Sequence, residues 1–66
     1  MGAFEVIRVL GGDIRDLQRI ISADEAILEI EKSPEKRRLL HREIGDLEEK
    51  IERLEQSIKL MESNGS

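Results

Sequence analysis

The chain contains no cysteine, tryptophan or tyrosine, and it has one phenylalanine (Phe4), one proline (Pro34) and one histidine (His41). Without cysteine there is no disulfide framework and no thiolate metal site. A single histidine excludes a multi-histidine metal site within one chain, so no metal or cofactor is expected. The near-absence of aromatic rings leaves no platform for base stacking. Long hydrophobic runs are missing too. The apolar stretch from Ala3 to Leu10 is interrupted by Glu5 and Arg8, too short and too charged for a signal peptide or a membrane span. Met1-Gly2 resembles an N-myristoylation start, but Val6 stands where that signal needs Ser or Thr. A cytoplasmic protein without membrane contacts is the resulting expectation.

At 66 residues there is room for one small domain. Chains below roughly 70–80 residues seldom close a stable core alone and rely on disulfides, metals or association. With the first two removed, association through helices, with itself or with another helical protein, is the expected support.

The chain is 39% charged and 38% apolar, with a net charge of −4. Its strongest pattern is an alternation of three- and four-residue steps through Leu40, Ile44, Leu47, Ile51, Leu54, Ile58 and Met61. This heptad puts isoleucine at a and leucine at d over three turns of the repeat, a seam that faces a partner helix. Position 37, one step earlier in the seam, is Arg. Asp46–Lys50, Glu49–Arg53 and Glu55–Lys59 lie at i, i+4 on the outer face, each worth about 0.2–0.5 kcal/mol. Ser33-Pro34-Glu35 reads as N-cap, N1 and N2 of this helix, predicted over residues 34–62. The residue before a proline resists helical dihedrals, so the upstream helix should stop near Lys32.

A second heptad row runs through Ile7, Leu10, Ile14, Leu17 and Ile21. It passes Gly11-Gly12 without a phase slip, which predicts one helix over residues 3–32. Two adjacent glycines cost about 1 kcal/mol each against alanine, so a bend or break there is the rival reading, and close helix–helix approach is the other use of such a pair. Beyond Ile21 the apolar row shifts to Ile20, Ala23, Ile27 and Ile30, because Asp24 and Glu31 fall at seam positions, and a wide apolar face that covers more than one neighbour is the simpler expectation. Ser22-Ala23-Asp24-Glu25 also matches a capping box, which would allow a restart at 23. A short β-strand over residues 4–10 is a third option for the start of the chain. Residues 63–66 read as a frayed or appended tail.

Two amphipathic helices of similar length on either side of a very short connector favour antiparallel neighbours. The expected fold is therefore all-α: a single two-helix antiparallel hairpin over residues 1–66, dimerising into a four-helix bundle or coiled coil. Ile7, Leu10, Ile14, Leu17, Ile21, Leu40, Ile44, Leu47, Ile51, Leu54, Ile58 and Met61 are the expected oligomer interface.

Three local features carry chemistry of their own. Lys36, Arg37, Arg38 and Arg42 form the densest basic run and are candidate anion or nucleic-acid contacts. The net negative charge weighs against non-specific nucleic-acid binding, and pairing with Glu25, Glu29 and Glu31 across the hairpin is the plainer use of these cations. His41 is the single imidazole, the side-chain type most used for proton transfer near neutral pH. It lies on a helix, as the phosphoacceptor histidine of sensor-kinase dimerisation domains does, but Arg42 follows it where those helices usually place an acid. No orienting partner for His41 is evident, and a solvated helix edge is expected. Glu43-Ile44-Gly45-Asp46-Leu47 resembles the Glu-x-Gly-x-Leu segment that opens the second helix of HAMP signalling modules. That resemblance covers five residues and implies a parallel dimeric bundle. The chain departs from the pattern in having no proline at the start of helix 1 and no glycine in the connector. The expected function is a non-enzymatic oligomerisation or protein-interaction module, most simply a homodimer. A small dimeric nucleic-acid-binding regulator, or a signalling-helix fragment of a larger protein, is the alternative.

Overall fold

A computed structural model describes the backbone of residues 2–64 and the side chains of residues 5–63; of the tail expected at 63–66, residues 63 and 64 continue the second helix, and 65–66 lie outside the described residues. Two helices, α1 (Gly2–Ile30) and α2 (Pro34–Asn64), are joined by three residues and pack against each other. At 1.5 Å per residue each helix is roughly 45 Å long. The 50 × 14 × 12 Å extents of the chain therefore require α2 to fold back along α1.

The connector is built as the Ser-Pro pair dictates. The Lys36 N–H donates to Ser33 Oγ over 3.4 Å and the Arg37 N–H to the Ser33 carbonyl at 2.9 Å, which makes Ser33 the N-cap of α2. The Ser33 N–H in turn donates to Glu31 Oε1 at 3.2 Å. Proline at the first helical position loses no hydrogen bond. α1 ends at Ile30, two residues before the expected Lys32, although the Glu31 N–H still donates to the Ile27 carbonyl at 2.8 Å.

α1 runs unbroken through Gly11-Gly12 and through residues 22–25, so neither a break nor a restart interrupts it, and residues 4–10 are helical rather than a strand. Neither glycine has positive φ, and a methyl group added at either meets nothing within 4 Å. Close approach of α2 is therefore not what requires glycine there.

The rows facing each other are those with the heptad spacing, with one correction. The expected shift of the α1 row after Ile21 does not occur. Asp24 and Leu28 continue the original row and are 7% and 8% exposed, whereas Ile20, Ala23, Ile27 and Ile30 point outward. α2 keeps one phase along its length, and its partner has to keep the same phase to stay in contact. Rotating the second half of α1 by one position would have taken Leu28 out of the seam. Ile51 is the most buried apolar residue of α2, at 9%.

Candidate interaction surface

The twelve residues expected at an oligomer interface lie between the two helices of one chain. Ile51 is buried and the other eleven are half-buried. No described side chain is less than 2% exposed. Two helices cover only one side of each seam residue, so the row is closed toward the other helix and open at its edges.

Apolar side chains also lie outside the seam. Ile30 is 78% exposed and Leu39 61%; Ile20, Ile27, Val6, Val9 and Leu60 are exposed as well. Ile20, Ala23, Ile27 and Ile30, expected to widen the apolar face of α1, lie exposed beside the seam. The three- and four-residue spacing of Asp24, Leu28 and Glu31 after Ile21 keeps the seam in its original phase.

The basic run is divided by the fold. Arg37 turns across the hairpin, where its Nη1 donates to the Leu28 carbonyl and, at 3.0 Å, to the Glu31 carbonyl. α1 has no basic residue of its own in its last turn, so Arg37 supplies the cation that a helix C-terminus favours. Cations at the start of α2 oppose that helix's own dipole, but they stand beside the negative end of α1. Arg37 therefore has a structural use, while Lys36, Arg38 and Arg42 are exposed. Among the described residues no ion pair joins the run to Glu25, Glu29 or Glu31; the one ion pair is Arg53–Glu49 at 2.8 Å, between exposed side chains. Of the three i, i+4 pairs expected on α2, only that one forms. His41 is exposed, and Gly45 faces outward with nothing within 4 Å of an added methyl.

Asp24 gives the seam an acidic centre. Its Oδ2 is buried without a hydrogen-bond partner. Glu43 approaches from α2, and its carboxyl is raised above the usual range, first by repulsion from the Asp24 charge, then by desolvation and a hydrogen bond to Asp24. Sequence spacing puts Asp24 at a seam position but gives no sign that the group opposite it is a second acid.

Among the described residues no group of three or more His, Asp or Glu side chains is arranged to hold a metal ion, and no helix is long and apolar enough to cross a membrane. The larger surface hollows lie along single helices, as in the one lined by Glu49, Glu52, Arg53, Gln56 and Ser57. No protein-family model matches the chain, and no curated protein or solved structure matches it either.

Proposed function

We propose that this protein is a non-enzymatic association module, a helical hairpin that pairs with a second copy of itself and presents its outer faces to a protein partner. The observation that carries this reading is the incomplete burial of its apolar residues. Among the described residues Leu28 and Ile51 are the buried apolar side chains, while seven large ones lie exposed. Contiguous exposed apolar surface on a small domain marks an interaction site. A hairpin of two helices gains its remaining burial by becoming half of a four-helix bundle.

Sedimentation equilibrium from micromolar to millimolar protein, with helicity measured in parallel, tests this. A dimer or tetramer that is more helical than the dilute chain supports it. A helical monomer at every concentration overturns self-association. The Leu47→Asp variant tests the seam, because it places an unpaired charge between the helices. It should lose both helicity and association; if it stays helical and equally associated, the seam residues do not hold the assembly.

The nucleic-acid reading rests on the three exposed cations Lys36, Arg38 and Arg42. It has less support, because Arg37 is engaged on α1 and the chain is acidic overall.

A further inference from the structure

Resting on the association reading above, we infer that the second copy docks on one particular face of the hairpin, the side of the seam that carries Glu43, with the two connectors at opposite ends of the dimer.

The register of the hairpin identifies this face. Arg37 reaches the Leu28 and Glu31 carbonyls and the Glu43 carboxyl senses the Asp24 charge, so residues whose numbers total about 65–68 lie near one another. On the Glu43 side, the positions just outside the seam divide into three zones. At the connector end are Ile27 and Ile30 of α1 and Leu39 of α2, with Lys36 beside Ile30, all exposed. In the middle are Asp13, Asp16 and Ile20 of α1 with Glu43, Asp46, Lys50 and Arg53 of α2. At the open end are Val6, Val9 and Leu60, exposed again. The face is mainly apolar at its two ends and mainly charged in the middle. Its length and width, 50 by 14 Å, suit the roughly 800 Å² per partner of a standard interface.

Charge suits the second copy as occupant, and the net charge of the two ends selects its direction. When a copy is turned end for end, each α2 crosses its own counterpart. Glu43 then falls opposite the Arg53 position of the other copy, and Asp46 opposite its Lys50. On α1, Val6 meets Ile30 and Val9 meets Ile27, with Asp13 and Asp16 opposite Ala23 and Ile20. No like charges oppose each other along either pair of helices. The ends agree with this direction. Residues 29–42 carry five cations and three carboxylates, whereas residues 5–9 with 55–63 carry two cations and three carboxylates. Turned end for end, the basic connector of one copy lies over the acidic open end of the other. With both connectors at the same end, Asp13 and Asp16 would face Arg53 and Lys50 of the other copy, but the two connector ends, each with five cations against three carboxylates, would lie together. Like-charge juxtaposition of this kind is what excludes a wrong arrangement.

The test separates this face from the association reading itself. Ile27→Glu and Ile30→Glu change residues that are exposed in the single hairpin, so helicity at high dilution should match that of the wild-type chain at the same dilution while the dimer weakens at least tenfold by sedimentation equilibrium. If the wild-type chain is monomeric, both the association reading and the face fail. If it associates and the Glu variants associate equally well, only the face fails. Because the chain has no cysteine, disulfide trapping fixes the direction without disturbing the fold. Val9→Cys mixed with Ile27→Cys should oxidise to a cross-linked heterodimer, with little product from Ile27→Cys alone. Cross-linking of Ile27→Cys to Leu39→Cys in preference to Val9→Cys would overturn the end-for-end arrangement, because with both connectors at the same end each α1 lies over the α2 of the other copy.

Discussion

Asp24 and Glu43 meet across the hairpin as two carboxyl groups, and this reverses the usual sign of carboxylate linkage. Because the Glu43 carboxyl is raised above its ordinary value, the folded hairpin holds a proton that the unfolded chain releases. Stability from this group is present at acid pH and is lost as pH rises through its folded value. Above that value the repulsion between the two carboxylates is fully expressed. Glu43→Gln keeps the shape and a hydrogen-bond donor toward Asp24 without the charge. It should melt above the wild-type chain at pH 7, and the gap should close below about pH 4, where an ordinary glutamate is itself protonated. Melting curves from pH 3 to 8 give the answer; a gap independent of pH would mean the two carboxyls do not sense each other. Arg37 shows the opposite economy. Its seam position breaks the apolar column of α2, and its guanidinium serves the exposed carbonyls of α1 instead. Arg37→Ala should cost about 1–2 kcal/mol in a urea titration, the range for one or two charge-assisted hydrogen bonds that are partly exposed. The break in the column could be read from the sequence. Its use could not, because the acceptors belong to a different helix.

The two helices differ in how plainly the sequence defines them. α2 has a proline at its start, a serine cap and an Ile/Leu phase unbroken from Leu40 to Ile58, and each signal is local. α1 has a glycine pair near its start, no apolar residue at seam positions 24 and 31, and isoleucines one position aside. Its seam is set by the phase of α2 more than by its own side chains. For that reason Asp24 lies in the seam and Ile27 outside it, where a reading of α1 alone places the apolar residue inward. The glycines are the cost of this arrangement that can be tested. α1 is continuous across Gly11 and Gly12 and nothing crowds a methyl at either. Gly11→Ala and Gly12→Ala should therefore each raise stability by about 0.8–1 kcal/mol, measured as a higher melting midpoint with unchanged helix content at saturation. A loss at either position would mean that something outside this hairpin approaches the α1 backbone there.

Over the whole molecule, the decisive quantity is the ratio of surface to interior. A body 50 Å long and 12–14 Å across is two helices wide and one helix thick, so no described side chain becomes fully enclosed. The hairpin was legible in the sequence because connector length and helix phase are properties of one chain. The cover over Ile27, Ile30 and Leu39 was not, because it depends on a second molecule. If that molecule is another copy, unfolding and dissociation are one event and the melting midpoint depends on concentration by mass action. A tenfold rise in protein adds about 1.4 kcal/mol per dimer. Set against an unfolding entropy of roughly 2.1 cal/mol/K per residue over both chains, the midpoint should rise by about 5 °C for each tenfold step. Circular dichroism melts over a hundredfold range in concentration would show this directly. A midpoint that stays constant over that range would assign all of the stability to the single hairpin. The outer apolar face would then have to be matched by a different protein, and the same melts repeated with a candidate helical partner would show the rise instead.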